Sequence, residues 1–102
     1  MQIKLEFISK DVQKSAYNWV NISFNGDLVG KSRCKILYEK ITIFSINIYP
    51  EFEERGFGKE FIDILKERFD SIIADRVRYN AIGFWEKMGF SRQGEDNYSW
   101  HK

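Results

Sequence analysis

A strand that passes through a short bend into an amphipathic helix is the feature that most constrains the fold of this chain. An alternating strand ends at Pro50, and the sequence Gly56-x-Gly58-Lys59 then opens the helix. Glycine lets the backbone approach an anion closely, and the free N–H groups of a helix N-terminus bind anions. Arg55 and Lys59 add positive charge on both sides of the loop. This pattern favours a pyrophosphate-binding loop.

The Gly-x-Gly pair is weak evidence by itself, because a tight turn between a strand and a helix also uses glycine. The residues around it exclude two common nucleotide-binding motifs. A Walker loop has Ser or Thr after its lysine, where this chain has Glu60. A dinucleotide fingerprint has a third glycine where this chain has Phe61.

A second stretch, residues 78–90, predicts a short helix that is followed by a strand. Gly89 is placed to end the helix, and Phe90 begins the strand. The apolar residues before them recur at helical spacing and share one face: Ala81, Phe84, Trp85 and Met88.

Together the two stretches resemble the GNAT family of N-acetyltransferases. The acetyl-CoA loop of that family reads Val-x-Pro-Glu-Tyr-(Arg/Gln)-Gly-x-Gly-x-Gly, and residues 48–58 follow it at Ile48, Pro50, Glu51, Phe52, Gly56 and Gly58. Its second motif reads Ala-x-x-Phe-Tyr-Glu-Lys-x-Gly-Phe, and residues 81–90 match it except at Trp85. The resemblance covers roughly the C-terminal half of the chain, and two motifs in the right order are far more specific than either one.

The resemblance implies an α+β fold: a mixed, mostly antiparallel sheet with a central β-α-β acetyl-CoA-binding unit and a C-terminal helix plus hairpin. The pattern of the chain agrees. It predicts strands over 2–8, 18–25, 28–39, 40–49, 71–76, 90–93 and 97–101, and helices over 58–69 and 79–88. Residues 10–17 read as a loop or one helical turn. They are too few for the two helices with which the family usually builds its acceptor wall.

Alternation divides the strand over 40–49 into two faces. One predicted face carries Thr42, Phe44, Ile46 and Ile48. The other carries Ile41, Ile43, Ser45, Asn47 and Tyr49, and it turns from apolar to polar along its length.

Composition indicates one small domain over residues 1–102, since the chain has 102 residues and a mass of 12.2 kDa. A net charge of +1 gives no support for a nucleic-acid or membrane-surface binder. A single cysteine, Cys34, excludes an internal disulfide or a cysteine zinc cluster, and no metal site is predicted. The chain has neither an apolar signal core nor a membrane-spanning run, so we expect a cytoplasmic protein.

The resemblance also implies how acetyl-CoA is held as the donor. In the family, the pantetheine arm lies between two parallel strands and hydrogen-bonds to strand backbone, while the pyrophosphate sits on the glycine loop. Carried over, backbone groups of Ile46 and Ile48 bind the arm, Arg78 and Trp85 lie along it, and the pyrophosphate falls to Arg55, Gly56, Phe57, Gly58 and Lys59. Plain core residues at the isoleucines and Trp85, and solvated charges at Arg55 and Lys59, remain the alternatives.

Two acidic residues depart from the family pattern at the loop. Glu53 stands where the family has Arg or Gln, and Glu54 stands where its first loop glycine would be. Exposed carboxylates beside a pyrophosphate repel it by about 1 kcal/mol. We therefore expect weakened cofactor affinity rather than lost binding.

No pair of residues in the sequence stands out as an acid and a base. In many family members the tyrosine of the second motif is the acid, but an indole N–H at Trp85 cannot act as an acid at neutral pH. Tyr79, on the same predicted helix as Trp85, is a candidate for the acid. Tyr98, in the last predicted strand, is a second candidate. The candidates for the base are Ser45, Asn47, Tyr49 and Glu51, and none of them forms an obvious pair with a candidate acid.

The predicted function is therefore an acetyl-CoA-dependent N-acetyltransferase that transfers acetyl directly to an amine of a small molecule or a protein. The alternative is a catalytically inactive binding or regulatory module of the same fold, which acts through protein partners. Trp85, Glu53 and the short segment 9–17 favour that alternative. A homodimer is also expected, because small members of the fold often pair.

Overall fold

The computed structural model describes residues 2–13 and 16–102, which form a seven-stranded sheet in the order β1-β2-β3-β4-β5-β7-β6. The strands are β1 (Lys4–Ile8), β2 (Asn18–Phe24), β3 (Asp27–Leu37), β4 (Lys40–Ile48), β5 (Ser71–Ala74), β6 (Ser91–Gln93) and β7 (Asn97–His101). The α-helices are α1 (Lys10–Gln13), α2 (Phe57–Arg68) and α3 (Ile82–Lys87), and 3-10 turns span Pro50–Phe52 and Tyr79–Ala81.

The α+β fold predicted from the sequence is confirmed. The pair β4–β5 is parallel, and the other strand pairs are antiparallel. The predicted strands agree with the observed ones to within two residues at each end. The segment 10–17, predicted as a loop or one helical turn, begins with α1, and its residues 14 and 15 lie outside the described residues.

The predicted turn between β2 and β3 is also present. Asn25 and Gly26 have φ angles of 53° and 84°, which is the left-handed geometry that a two-residue hairpin turn requires. Asparagine and glycine adopt this geometry at low cost, so the sequence at this point sets the register of the hairpin.

The two helices predicted over 58–69 and 79–88 have different bounds in the structure. The helix predicted from Gly58 begins at Phe57, because Gly56 takes a left-handed φ of 83° and acts as its N-cap. The helix predicted over 79–88 starts as a 3-10 turn, in which the N–H of Ala81 donates to the carbonyl of Arg78 at 2.9 Å. Only residues 82–87 are α-helical.

The predicted division of β4 into two faces is wrong beyond its centre. Arg33 lies opposite Ser45 and Cys34 lies opposite Ile43, which leaves Phe44 as an extra residue in β4. Such a bulge shifts the alternation, so that residues beyond it change face. Ile46 therefore shares a face with Ile41 and Ile43.

The two faces of the sheet have different surroundings. The covered face packs against α2 and the residue that follows it: the ring of Phe57 lies 5.2 Å from that of Phe24, and the ring of Phe69 lies 6.4 Å from that of Phe7. Register places these core residues of β2 to β5 on it: Val20, Ile22, Cys34, Ile41, Ile43, Ile72 and Ala74. The opposite side is called the open face here, because its residues on β3 and β4 are half-buried or exposed.

The apolar side of α2 supplies much of the core. Phe61, Ile62 and Leu65 are fully buried, as the sequence periodicity predicts. Removing such a side chain, as in Phe61→Ala, is expected to cost about 3–5 kcal/mol. The core thus fixes α2, and with it the glycine loop, against the sheet.

Candidate active site

Strands β4 and β5 diverge beyond a short parallel ladder. The ladder ends where Ile43 pairs with Ala74, and the N–H of Asp75 donates to the carbonyl of Ile43 at 2.9 Å. Strand β4 continues to Ile48, while β5 ends at Ala74. Among the described residues, no strand pairs with this last part of β4 on the β5 side.

A cleft of about 530 Å³ lies between the two strands where they diverge. Its lining comes from both faces of the sheet, because Ile46 belongs to the covered face and Ser45 to the open face. The cleft therefore passes between the strands through the plane of the sheet. The other lining residues come from β4, the segment after β5, and α3: Ile43, Phe44, Asn47, Ala74, Asp75, Arg76, Val77, Arg78, Ala81, Phe84 and Trp85.

The N-terminus of α2 presents free backbone donors. Its first intrahelical bond runs from the N–H of Glu60 to the carbonyl of Gly56 at 3.0 Å, and no side chain of the described residues caps this end. The N–H groups of residues 57–59 precede that bond, and the helix dipole makes the end positive. The side chain of Phe57 is buried, so only its backbone can contact a ligand. This arrangement suits a phosphate group.

Phe84 connects the loop to the cleft. A methyl group at Gly58 would lie 3.7 Å from the ring of Phe84, and the same ring lines the cleft. The protein itself leaves room for a side chain at Gly58, since this distance is an ordinary contact. The helix N-terminus and the cleft are therefore neighbouring parts of one surface.

The two cations predicted at the loop have contacts within the protein. The guanidinium of Arg55 lies 5.6 Å from the ring centroid of Phe52. Lys59 Nζ donates a hydrogen bond to Oδ2 of Asp63 at 2.8 Å. This hydrogen bond and the charge of Asp63 raise the pKa of Lys59 above its ordinary value.

The residues predicted along the pantetheine arm fall into two groups. Ile46, Arg78 and Trp85 line the cleft. Ile48 lies beyond the lining, on the covered face opposite Gly30. Trp85 is 7% exposed and packs its ring 5.1 Å from that of Phe84 and 4.8 Å from that of Phe90.

The candidate acids lie away from the cleft lining. Tyr79 is 91% exposed at the start of the 3-10 turn, and Tyr98 is buried on β7. Of the candidate bases, Ser45 and Asn47 line the cleft, whereas Glu51 is exposed in the turn after β4.

Sequence reasoning missed Asp75, the carboxylate that lines the cleft. Its oxygen Oδ2 accepts a hydrogen bond from Nε of Arg76 at 3.2 Å, and its side chain is 23% exposed. The available signal was its position directly after a buried strand and before the second motif, because polar residues at that end of a parallel strand meet the ligand crevice.

A family model describes most of this chain. The acetyltransferase (GNAT) family model matches residues 2–90. The chain belongs to the GNAT acetyltransferase family. The resemblance found in the two motifs is thereby confirmed, and it extends to the N-terminal strands as well.

Curated relatives match a shorter segment of this GNAT chain. An uncharacterized N-acetyltransferase of Oceanobacillus iheyensis is 34% identical over 50 residues, which are 49% of this chain and 31% of the relative. The matched segment therefore spans about a third of that relative.

Solved structures share the fold at low sequence identity. The N-acetyltransferase YlbP of Bacillus subtilis, solved in complex with coenzyme A, has a TM-score of 0.68 and 19% identity, and the match covers 91% of this chain and 77% of YlbP. A GNAT family acetyltransferase of Elizabethkingia anophelis with acetyl-CoA bound has a TM-score of 0.69 and 11% identity, over 98% of both chains. Among the described residues of this chain, no helix is long and apolar enough to span a membrane.

Proposed function

We propose that this protein binds acetyl-CoA and transfers its acetyl group directly to an amine. One observation carries the proposal: the uncapped N-terminus of α2 adjoins, through Phe84, a cleft that opens between β4 and β5. Membership of the GNAT family and the coenzyme A and acetyl-CoA bound to similar structures support it.

In this proposal the pyrophosphate lies on the N–H groups of residues 56–59, and the arm of acetyl-CoA runs into the cleft. Backbone groups of Ile46 and Ile48 bind the arm as an added strand would. Phe84 and Trp85 pack against it, and Arg78 lies beside it. Arg55 and Lys59 supply mobile positive charge at the loop, once Lys59 turns from Asp63 to the ligand.

The proposed reaction has one bond exchange. The neutral amine attacks the thioester carbonyl, a C–N bond forms, the C–S bond breaks, and coenzyme A leaves as a thiolate. The attacking nitrogen loses one proton, and the thiolate gains one. We propose Asp75 as the proton acceptor, because its carboxylate lines the cleft. Tyr79 stays the candidate acid, and loss of transfer in Tyr79→Phe with coenzyme A affinity unchanged supports that role.

The second candidate function is a binding module without catalysis. Trp85 favours it, because an indole occupies the position of the family tyrosine and is almost fully buried. The variant Trp85→Tyr separates the two candidates. A rise in acetyl transfer supports a site organised for chemistry. If no transfer occurs in either protein while coenzyme A binds, the binding module is favoured.

The test of cofactor binding uses a pair of glycine variants. Gly58→Ala places a methyl group between the loop and the cleft, and calorimetric titration is expected to show at least a tenfold loss of affinity for acetyl-CoA. The fold should be unharmed, because alanine is favoured over glycine in a helix by up to about 1 kcal/mol. Gly83→Ala is the matched control on α3, where an added Cβ meets nothing within 4 Å. Equal affinity in the two variants contradicts the proposed path of the ligand.

The homodimer and the cytoplasmic location stay predictions. Light scattering at working concentration that gives the mass of a single chain contradicts the dimer. A buried, unpaired Cys34 is compatible with a reducing compartment.

A further inference from the structure

Positive charge is concentrated on the open face of the sheet. Residues that alternate along β3 point to this face: Lys31, Arg33 and Lys35. The register places Lys40 of β4 and Lys4 of β1 on the same side. The whole chain, in contrast, has 16 basic and 15 acidic residues, so its near-neutral net charge hides this separation.

Acidic groups are scarce on the same face. Among the strand residues that the structure describes, Glu6 of β1 is the one carboxylate there, and it accepts a hydrogen bond from Nδ2 of Asn21 at 3.2 Å. His101 of β7, the strand beside β5, also lies on this face. Asp75 lies at the cleft and is paired with Arg76. The basic row on β3 therefore has no carboxylate row opposite it.

Arg33 joins the basic row to the cleft. It lies opposite Ser45, which lines the cleft, and its guanidinium lies 4.7 Å from the ring centroid of Tyr17. The same tyrosine ring packs 5.3 Å from that of Phe44, another lining residue. Among the described residues, the buried Nε of Arg33 has no hydrogen-bond partner. A buried donor without a partner favours an acceptor group from a ligand.

If the proposed function holds, the covered face binds the pyrophosphate of the cofactor and the open face receives the acceptor. The inference below rests on that function. The helix N-terminus that suits the pyrophosphate is on the covered face, because α2 packs there. The cleft passes through the sheet, so an arm that enters from the loop presents its acetyl end toward the open face. The acceptor must therefore approach across the basic row.

We propose that the acceptor is a peptide amine flanked by acidic side chains, which docks in extended form along β3 on the open face. Side chains two residues apart on a strand are separated by about 7 Å, and the same spacing recurs on one side of an extended peptide. Lys31, Arg33 and Lys35 can thus meet alternate carboxylates of such a peptide. Of these three basic residues Arg33 lies nearest to the cleft, and it contributes specificity by pairing with the nearest carboxylate.

The test measures peptide binding directly. Two fluorescent peptides of about nine residues carry a central lysine, with glutamate at alternate positions in one and glutamine in the other. Fluorescence anisotropy is expected to show that the glutamate peptide binds at least about tenfold more tightly at low salt. The preference should shrink at high salt, because exposed charges are screened.

The variants locate the surface. Lys31→Gln combined with Lys35→Gln is expected to reduce the preference at least about fivefold, and Arg33→Gln should reduce it further. Lys87→Gln is the matched control, since this exposed lysine on α3 lies outside the cleft lining. Equal affinity for both peptides, no binding of either, or a preference that survives in the β3 variants overturns the proposal. Single-stranded DNA that binds as tightly as the glutamate peptide also overturns it, in favour of a nucleic-acid surface.

The same preparation separates this proposal from the proposed function. Acetyl-CoA binding is measured by calorimetry, and peptide binding needs no transfer. A glutamate preference that depends on β3, in a protein that fails to bind acetyl-CoA, supports the docking surface and contradicts the transferase. Tight acetyl-CoA binding together with equal affinity for both peptides supports the transferase and contradicts the docking surface.

Discussion

Lys59 and Asp63 form an ion pair one helical turn apart on α2, with Nζ of the lysine 2.8 Å from Oδ2 of the aspartate. The sequence predicts Lys59 as a pyrophosphate ligand, and the structure pairs it with a carboxylate on its own helix. Both side chains are exposed, so the pair is weak and a ligand can break it. Asp63 is therefore expected to compete with the cofactor for this lysine.

Removing that competitor should strengthen cofactor binding. In Asp63→Asn we expect the affinity for coenzyme A to rise about two- to fivefold, because an exposed pair contributes up to about 1 kcal/mol. The pKa of Lys59 should move back toward its ordinary value, since Asp63 is the main cause of its rise. Calorimetry measures the affinity, and the double variant with Lys59→Gln is the control. The same gain in the double variant would show that Lys59 is not the group released.

Glu54 combines an unfavourable charge with an unfavourable backbone conformation. Its φ of 63° is left-handed, and it stands where the family pattern has glycine. In Glu54→Gly the loss of repulsion should raise the affinity for coenzyme A about fivefold. Stability should change by less than about 1 kcal/mol, because relief of backbone strain offsets the greater freedom of glycine in the unfolded chain.

The variant Glu54→Gln separates these two effects. It removes the charge and keeps the left-handed residue, so it should reproduce most of the gain in affinity. A gain in the glycine variant alone would assign the effect to loop conformation rather than to charge. Chemical denaturation of each variant gives the stability comparison.

Periodicity predicted the elements that form the fold, because it records which side chains face the core. The four-residue spacing of Phe61, Leu65 and Phe69 was enough to identify α2. The bulge at Phe44 carries no such signal, since an extra residue in a strand has the same composition as a regular one. For that reason the sequence misassigned the faces of Ile46 and Ser45, and with them the way the cleft crosses the sheet.

A motif marks the glycine loop of the candidate site, whereas other parts of that candidate site depend on how the strands are arranged. Gly56 and Gly58 indicate a loop in the sequence, because few roles other than turns and close ligand approach require glycine. Asp75 belongs to no motif: its position after a buried strand is a sequence signal, but its place in the cleft depends on the divergence of β4 and β5. Likewise, the basic row on β3 becomes a surface only after the register places its members on one side.

The role of Gly30 also becomes apparent only from the structure. A Cβ at this position would lie 2.6 Å from the carbonyl oxygen of Asn47 and 2.9 Å from Cδ1 of Ile48. The close approach of β3 to β4 therefore depends on glycine. Gly30→Ala should destabilise the fold by about 1–3 kcal/mol in urea denaturation, because β4 must move. Coenzyme A affinity should fall too, since Asn47 lines the cleft. Unchanged stability would contradict the close contact, and Gly83→Ala again serves as the control.

Cys34 provides a pH-dependent test of the core. Burial raises the pKa of its thiol from 9.0 to about 12. Between these two values the thiol is ionised in the unfolded chain and protonated in the folded one, so the unfolded state binds fewer protons and stability falls as pH rises. This contribution is fully present below pH 9 and is lost on the way to about pH 12. Its slope is at most about 1.4 kcal/mol per pH unit.

The measurement compares the natural chain with Cys34→Ala. Lysine and tyrosine side chains also titrate in this range, but they are common to both proteins. The free energies of unfolding should therefore draw together and then cross as pH rises above 9, because Cys34→Ala is less stable at neutral pH by only about 1 kcal/mol, owing to the loss of a buried sulfur. A thiol reagent should label the folded protein only at the rate of unfolding. A constant gap between the two proteins, together with rapid labelling in the absence of denaturant, would place Cys34 outside the core.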